Sequence, residues 1–444
     1  MEFSPEQALC FQHFMNGENV FLTGPGGTGK TALIRHMYQA ALDHRVSVQV
    51  CAMTGCASVL LECNARTLHS WAGIGLGKES AESYARKFIR TRPLIAAAWR
   101  EIKVLIVDEV SMLSLKLFEL LDEIAKIIRR KQSPFGGIQL VFAGDFFQLP
   151  PMNDETEEDN GDTAARFCFE SSVWNATFPR TVQLSQIFRQ SDNTYIKLLN
   201  RLRKGIITTS MNQALCSRVI PPSTNELGSV RLHPLRNSAE RVNARELAQL
   251  ETPSVFNHRQ REYNIVKEGT GSSSSIIVKP VSSDAIETEL LYLERSIQAE
   301  SVLETKVGAQ VMCIVNLPEI GLVNGSQGRV IGHYANNPIV NFGPGKGQIT
   351  MFKHVWKSEK IPNIGISQIP LILAWALTIH KSQGLTLDSA IIDAGPNTFA
   401  CGQCYVALSR VKSLEGLFLT EFDINSIKVN KRVLQFYTML DQKN

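Results

Sequence analysis

Residues 24–31 read GPGGTGKT, and this stretch decides the fold of the 444-residue chain. It follows the apolar run 20–22 and precedes a helical pattern over 31–42, which is the strand–loop–helix context of a phosphate-binding loop. Glycines let backbone N–H groups turn towards phosphates, and the N-terminus of the following helix adds its positive end. The stretch therefore predicts an α/β domain that binds a nucleoside triphosphate.

Short apolar runs alternate with helical patterns through the first 180 residues, which predicts a parallel sheet wrapped by helices. The interval 115–131 carries one apolar helical stripe, and its basic residues gather at the C-terminal end. Further along, 251–365 is rich in Gly, Ser and Asn and contains alternating runs, which predicts a β-rich insert. The buried strands are predicted at 20–22, 46–52, 104–107 and 138–143.

Two carboxylates stand at the end of the strand-like run 104–107. Asp108 and Glu109 would lie at the carboxyl edge of the sheet, where such sheets bind ligands. We expect Lys30 to place its charge on the phosphates, and Thr31 and Asp108 to hold Mg²⁺. Glu109 is then placed to act as general base on the attacking water, so a Glu beside an Asp indicates hydrolysis.

A third strand-like run, 138–143, leads into GDFFQLPP at 144–151. By the same edge geometry, Gln148 is predicted to reach the γ-phosphate or its water. A polar side chain there would couple the state of the nucleotide to the segment that follows.

The composition excludes several classes of protein. With 44% hydrophobic and 20% charged residues the chain is globular, and the sequence has no run of 18 apolar residues and no secretory signal. Nine cysteines without a repeating spacing indicate a reducing compartment. The net charge of +4 hides a block at 152–163 with six acidic residues and no base, predicted to be a solvated acidic loop.

The motifs, taken together, resemble those of the Pif-one family, DNA helicases of superfamily 1B. GPGGTGKT, DEVSM at 108–112 and GDFFQLPP are similar to the first three helicase motifs, and 114–139 resembles the family's signature motif. Six further stretches resemble the Q motif and motifs Ia, Ib, IV, V and VI in that order: SPEQ (4–7), TGCA (54–57), TLHSWAG (67–73), LSQIFRQ (184–190), TIHKSQG (378–384) and YVALSRV (405–411).

The resemblance implies an α/β fold with two RecA-like P-loop domains, each built on a parallel sheet. The first, domain 1A, would span 1–180 and include a small, loop-like wedge at about 63–80. The second, domain 2A, would comprise 181–250 and 366–444. Between its parts lies the insert 2B, 251–365, with an SH3-like β part at about 300–350.

The resemblance also implies that ATP binds between the two RecA-like domains. Arg189 and Arg410 would then be arginine fingers on the γ-phosphate, and Gln7 would recognise the adenine. Catalysis is assigned to Lys30, Glu109, Gln148, Arg189 and Arg410. The residues assigned to ATP and Mg²⁺ are Gln7, Gly24, Gly26, Gly27, Thr28, Gly29, Lys30, Thr31, Asp108, Glu109, Gln148, Arg189, Gly384 and Arg410.

Contacts with single-stranded DNA are assigned in the same way, to residues in the motifs that the family uses along its strand channel. For His69 and His380 a purely structural role is the alternative, and Trp71 is as well suited to a core as to stacking on a base. The assigned contacts are Thr54, Gly55, His69, Ser70, Asn237, Thr378, His380 and Lys381.

The activity that the resemblance implies is an ATP-dependent helicase that moves 5′→3′ on single-stranded DNA. Its partners would be single-stranded, forked or quadruplex DNA, without a membrane, in an intracellular compartment that holds DNA. We expect a monomer in solution, with dimers on DNA left open. Two other hypotheses remain at this point: a P-loop NTPase that remodels a protein, and a motor directed to RNA.

Overall fold

The computed structural model describes most of the chain, in two compact units. One unit contains 1–236 and 378–444, and the other contains 237–377. The acidic block 152–163 lies outside the described residues. Among the described helices, none combines the length and the apolar character needed to span a membrane. The described residues are 3–61, 63–75, 77–151, 166–221, 229–263, 283–322, 325–343, 345–358, 361 and 363–443.

The helices and strands of the described residues are numbered here in chain order. The helices are α1 (Pro5–Met15), α2 (Lys30–Asp43), α3 (Gly55–Leu61), α4 (Leu68–Ala72), α5 (Ala81–Thr91), α6 (Pro93–Glu101), α7 (Leu115–Arg129), α8 (Trp174–Thr177), α9 (Asn193–Arg203), α10 (Thr209–Cys216), α11 (Arg236–Ala248), α12 (Ser283–Ser296), α13 (Gln403–Leu408) and α14 (Lys431–Lys443). The strands are β1 (Val20–Thr23), β2 (Val48–Ala52), β3 (Arg66–Thr67), β4 (Val104–Asp108), β5 (Gln139–Gly144), β6 (Arg180–Gln183), β7 (Val230–His233), β8 (Val255–His258), β9 (Gln260–Tyr263), β10 (Val302–Thr305), β11 (Gln310–Cys313), β12 (Gln327–Tyr334), β13 (Asn337–Asn341), β14 (Gln348–Thr350), β15 (His354–Lys357), β16 (Ile364–Gln368), β17 (Leu371–Leu373), β18 (Ala376–Thr378), β19 (Ala390–Ala394) and β20 (Leu417–Phe422).

The first unit is built on a six-stranded sheet with the order β3-β2-β4-β5-β1-β6. Every neighbouring pair in it is parallel. β1 and β4 are buried along their whole length, as expected for strands covered by helices on both faces. The predicted α/β fold and the four predicted strands are therefore confirmed, whereas β3 and β6 were not anticipated because each carries a charged or polar pattern.

Helix α7 shows why the signature stretch forms a helix of this length. The Ser114 side chain caps it by accepting a hydrogen bond from the Leu117 amide, and Arg130 ends it in a left-handed conformation with φ 55°. Of the apolar stripe at 117, 118, 121, 124, 127 and 128, four residues are buried, whereas Leu117 is partly buried and Ile127 is 38% exposed. The predicted helix 115–131 is thus confirmed to within two residues.

The interval around Trp71 is packed into the core of the first unit. Trp71 is 5% exposed, and its ring centroid lies 4.5 Å from that of Trp99. The expectation of a loop-like connection differs from the structure at 66–72, where the chain adds β3 to the sheet and then forms α4. Trp71 is therefore a core residue, and the wedge role of 63–80 stays a prediction.

The first unit also holds a second parallel ladder, formed by β7, β19 and β20. β19 lies in the middle of this ladder and is fully buried. Helix α14 then returns to the first sheet, where Phe436 packs on Phe169 with 4.3 Å between ring centroids. Both parallel sheets consequently belong to one compact unit.

The second unit is mainly antiparallel. Its largest sheet has the order β14-β13-β12-β11-β17, and a three-stranded sheet has the order β15-β16-β9. Val311, Val330 and Leu371 belong to one apolar core in this unit. The alternating runs therefore do form strands, while the boundaries of the insert 251–365 and its SH3-like assignment stay predictions.

A buried ion pair ties the end of β5 to helix α9. Asp145 accepts two close hydrogen bonds from the Arg203 guanidinium, 2.7 Å from Nη2 to Oδ1 and 2.9 Å from Nε to Oδ2. The Tyr405 hydroxyl donates to the same carboxylate at 3.4 Å, and the guanidinium lies 4.4 Å from the centre of the Phe147 ring. The pair is almost fully buried, since the two side chains are 0% and 3% exposed. Removing one partner would leave the other charge without compensation in a medium that solvates it poorly.

We predict that Asp145→Ala lowers the free energy of unfolding by about 3–5 kcal/mol, the loss expected when one partner of a buried ion pair is removed. Urea denaturation followed by circular dichroism measures the change. Asp388→Ala is the matched control, because it breaks the exposed Lys412–Asp388 pair and should cost about 0–1 kcal/mol. Equal losses in the two variants would contradict the role of the buried pair.

Candidate nucleotide site and strand-contact residues

The glycine-rich loop lies between β1 and α2 and forms one wall of a cavity. Gly27 and Gly29 have φ of 88° and 81°, a conformation that side-chain-bearing residues rarely adopt. A Cβ on Gly27 would lie 2.6 Å from the Cβ of Arg189, so the loop needs glycine there for close approach as well. The cavity has a volume of about 340 Å³ and is lined by Gly26, Gly27, Thr28, Gly29, Lys30, Thr31, Ala32, Arg35, Ala57, Asp108, Glu109, Gln148, Arg189, Gly384 and Arg410.

Lys30 is folded back onto its own loop. Its ammonium donates to the carbonyl oxygens of Gly24 at 2.7 Å and Pro25 at 2.9 Å. Burial lowers the pKa of Lys30 because the charged form loses its hydration, although the carboxylates of Asp145, Glu109 and Asp108 oppose this. An anion bound in the cavity would stabilise the charge of the Lys30 ammonium, as water does at the protein surface.

Thr31 and Asp108 offer oxygen atoms side by side. The Thr31 hydroxyl donates to Asp108 Oδ2 at 3.4 Å, and the Glu109 amide donates to Oδ1 at 2.8 Å. Burial raises the pKa of Asp108 to about 7, and the charge of Glu109 adds to the rise. A hydroxyl and a carboxylate suit Mg²⁺, which binds few protein oxygens and completes its shell with phosphate and water.

The described residues hold no group of three or more His, Cys, Asp or Glu side chains that could bind a metal on its own. In phosphoryl-transfer sites Mg²⁺ is usually held by one or two carboxylates together with phosphates of the substrate.

Two arginines reach the loop from the opposite wall of the cavity. A Cβ on Gly26 would lie 3.5 Å from a guanidinium nitrogen of Arg189 and 3.5 Å from one of Arg410. Burial, helped by the Arg410 charge, lowers the pKa of Arg189 to about 9, and burial lowers the pKa of Arg410 as well. Within the described part of the chain, neither arginine forms an ion pair with a carboxylate. The predicted fingers thus face the phosphate loop together.

Arg410 is held in place by its own helix end. Its Nε donates to the Val406 carbonyl at 2.9 Å, and its Nη2 donates to the Ser409 hydroxyl at 2.8 Å. Arg189 Nη1 donates to the Ser409 carbonyl at 3.2 Å. The two guanidinium groups therefore share one support, Ser409, at the C-terminal end of α13.

Gln148 also faces the cavity, and it is buried with 4% exposure. Its side-chain oxygen has no hydrogen-bond partner among the described residues. A buried polar atom without a partner is costly unless a ligand or water satisfies it. The geometry is compatible with the predicted sensor role, which stays a prediction.

Gln7 lies close to the phosphate loop but outside the cavity lining. Its side-chain oxygen accepts from the Ser4 amide at 3.0 Å, which completes a capping box at the start of α1. Its side-chain nitrogen donates to the Thr28 carbonyl at 3.3 Å. Both polar atoms of the amide are therefore engaged, and recognition of adenine by Gln7 stays a prediction.

The strand contacts assigned to the first sheet meet at one edge. Thr54 and Gly55 follow β2, His69 and Ser70 follow β3, and these strands are parallel neighbours with Ala52 paired to Thr67. The Thr54 hydroxyl accepts from the Ala57 amide at 3.2 Å, which fixes the start of α3. Burial lowers the pKa of His69, because the charged form of the ring loses its hydration.

The contacts assigned to motif V form a separate turn. The Thr378 hydroxyl accepts from the Lys381 amide at 3.2 Å. The His380 ring stacks on the exposed Phe399 ring with 6.2 Å between centroids, and burial lowers the pKa of His380. Asn237 lies at the start of α11 and belongs to the second unit. The DNA-binding role of each of these residues stays a prediction.

Ala32, Arg35 and Ala57 line the cavity but were not assigned to it from the sequence, and three residues that contact the phosphate loop or Glu109 were missed as well. Gln383 donates to Glu109 Oε2 at 2.9 Å, and the Tyr405 hydroxyl accepts from the Gly26 amide at 3.1 Å. Phe188 donates its amide hydrogen to the Gly27 carbonyl at 2.8 Å, and its ring is 54% exposed. All three lie inside the motif stretches that the sequence singled out, but only the tertiary contacts distinguish them from their neighbours.

Comparisons with known proteins point to one family, the one referred to above as Pif-one. A family model described as PIF1-like helicase matches residues 3–213, and a model described as DNA helicase Pif1, 2B domain matches residues 292–332. The ATP-dependent DNA helicase PIF1 of Danio rerio is 36% identical over 446 residues, covering 99% of this chain. The chain spans 64% of the length of that relative.

Two solved structures are similar over the whole chain. The crystal structure of Pif1 helicase from Candida albicans has a TM-score of 0.78 and 34% identity, and the match covers 99% of this chain and 100% of that one. The crystal structure of Pif1 helicase from Bacteroides in complex with ADP-AlF3 and ssDNA has a TM-score of 0.67 and 26% identity, with 100% and 98% covered.

We predict that Asp108→Asn raises the melting temperature of the metal-free and nucleotide-free protein more at pH 8 than at pH 5. The pKa of about 7 in the folded state lies above the usual value of 3.8, so ionisation of Asp108 favours the unfolded chain increasingly as the pH rises from 3.8 to about 7. At pH 5 only part of this loss of stability is present, because the carboxyl is ionised in the unfolded chain and still neutral in the folded protein. Differential scanning fluorimetry in EDTA measures the difference.

Asp388→Asn is the control for this comparison, since Asp388 is 88% exposed. It should leave the melting temperature unchanged at both values of pH. An equal shift for Asp108→Asn at pH 5 and pH 8 would show that burial does not raise the pKa of this carboxylate.

Proposed function

The chain belongs to the Pif1 family of helicases, and on this premise we propose that it is an ATP-dependent DNA helicase that moves along single-stranded DNA. One observation carries the proposal. Lys30, Arg189 and Arg410 converge on a single cavity beside Asp108 and Glu109. Cations, a metal-binding carboxylate and a candidate base in one cavity are what hydrolysis of a nucleoside triphosphate requires.

In the proposed reaction the phosphates of ATP take the place of the loop carbonyls as partners of Lys30. Thr31 and Asp108 would hold Mg²⁺, which neutralises charge on the phosphate oxygens. Glu109 accepts a proton from the attacking water, and Arg189 and Arg410 stabilise the charge that develops on the γ-phosphate. Gln148 supplies an acceptor for that water or for a water near it.

The arrangement also supplies a reason for movement. The phosphate loop follows β1, while Arg410 follows α13, so ATP would touch two separate parts of the fold at once. A ligand shifts a conformational equilibrium only by its differential affinity for the two states. The contacts of ATP with Arg189, Arg410 and Gln148 would supply that difference, and hydrolysis would remove it.

The remaining features of the proposal follow from the family. They are movement in the 5′→3′ direction, unwinding of forked or quadruplex DNA, and a monomer in solution with dimers on DNA left open. Thr54, Gly55, His69 and Ser70 share one sheet edge, which suits a strand that passes across it. Phosphate contacts of this kind are independent of base sequence, as a motor needs.

We predict that Lys30→Ala and Glu109→Gln each strongly reduce the ATPase activity that single-stranded DNA stimulates, for different reasons. Lys30→Ala weakens nucleotide binding because the phosphates lose a cation. Glu109→Gln keeps nucleotide binding and lowers kcat by about 10²–10⁴-fold, the contribution of a general base. Phosphate release and binding of a fluorescent ATP analogue separate the two effects, with Lys412→Ala as a surface control. Normal hydrolysis in either variant would refute the assignment of the site.

We further predict that the protein unwinds a duplex with a 5′ single-stranded tail and not one with a 3′ tail. Gel separation of labelled strands tests activity, substrate and direction together. RNA tails of the same sequence test the RNA-directed alternative, since the 2′-hydroxyl is the difference that a strand channel can sense. An ATPase that no nucleic acid stimulates would instead favour the protein-remodelling alternative.

A further inference from the structure

A hydrogen bond joins the candidate general base to the motif V turn. Gln383 donates from Nε2 to Glu109 Oε2 at 2.9 Å, across 274 positions of the sequence. Gln383 is 4% exposed, and its side-chain oxygen has no hydrogen-bond partner among the described residues. Among the described residues, the buried side-chain amide of Gln383 therefore forms one hydrogen bond, the bond to the Glu109 carboxylate.

The backbone at Glu109 has a left-handed conformation that its surroundings must hold in place. Glu109 has φ 57° and ψ 41°, in the left-handed region that residues with a Cβ seldom occupy. Such a conformation persists only where the surroundings impose it, and it is frequent at functional sites. At this strained position the Gln383 side chain holds one oxygen of the carboxylate, Oε2.

Gln383 is also part of the turn that carries the assigned strand contacts. Its backbone N–H donates to the His380 carbonyl at 3.3 Å, and the backbone N–H of Ser382 donates to the Thr378 carbonyl at 3.1 Å. The residue after it, Gly384, lines the cavity. A strand that binds Thr378, His380 or Lys381 would therefore shift the backbone that places the Gln383 amide.

From these contacts we propose that Gln383 is a positioning residue that orients Glu109 towards the attacking water and transmits strand binding to it. The inference rests on the proposed function, because Glu109 must be the base. A base oriented by a third group is a general arrangement in enzymes. Here the third group belongs to the strand-binding turn, so occupancy of the turn by DNA improves the orientation of the base.

The test replaces Gln383 with methionine, which has nearly the same shape and no donor. Gln383→Met should lower the kcat of DNA-stimulated ATPase by roughly 10- to 100-fold, the effect of one hydrogen bond to a charged group. The KM for ATP and the Kd for a single-stranded oligonucleotide should change by no more than about twofold, because the bond contributes to orientation and not to binding. The ratio of stimulated to unstimulated kcat should fall as well.

A double-mutant cycle separates this role from a structural one. If Gln383 acts through Glu109, Gln383→Met has no further effect on kcat in a Glu109→Gln background, because the base that it orients is gone. The matched control is Gln403→Met, which removes another buried amide, one that donates to the Pro234 carbonyl at 3.2 Å. Its effect should be the same in both backgrounds.

Three results would overturn the inference: an unchanged kcat in Gln383→Met, a fall in kcat that is independent of Glu109→Gln, or a fall matched by a rise in KM for ATP. Failure of the proposed function has a different signature. In that case the unsubstituted protein itself shows no ATPase activity that single-stranded DNA stimulates, whatever the variants do.

Discussion

The burial of three cations around one cavity is the constraint on which the rest of the site depends. Lys30, Arg189 and Arg410 face one cavity, and burial lowers the pKa of all three. Like charges that have lost their hydration push the walls of a cavity apart unless other interactions hold them. The buried pair between Asp145 and Arg203 lies just beyond the cavity and supplies such an interaction. The fold therefore concentrates positive charge where an anion is wanted and anchors the chain beside it.

The turn before α13 packs against the segment after β5 with direct contact between the two backbones. A Cβ on Gly402 would lie 2.3 Å from the Phe147 carbonyl and 2.5 Å from that of Gln148, so the turn before α13 rests directly on the segment after β5. Arg410 lies just after this helix, so it is tied through α13 to the segment that contains the candidate sensor Gln148. A nucleotide that contacted both Gln148 and Arg410, as proposed, would therefore touch two segments whose backbones lie in direct contact.

Local patterns in the sequence were sufficient for the phosphate loop, for β1, β4 and β5, and for α7, because each depends on apolar periodicity and on caps within a few residues. They were insufficient where partners are far apart in the chain. Trp71 could belong to a core or to a binding surface until its contact with Trp99 was known. The hydrogen bond between Gln383 and Glu109 likewise could not be predicted, since the sequence of one segment does not show which distant segment it contacts. The two-residue strand β3 is too short to have any period of its own.

The contacts of Lys30 bear on how product leaves. Its ammonium already has two acceptors in the carbonyls of Gly24 and Pro25. In the proposed reaction, the loop could take the ammonium back as ADP and phosphate depart, so the departing ligand would not leave a bare charge in a dry cavity. A loop that supplies its own acceptors for Lys30 would lower the barrier to product release and weaken the binding of ADP. If the protein hydrolyses ATP in repeated cycles, as proposed, this arrangement would favour rapid turnover over tight retention of the nucleotide.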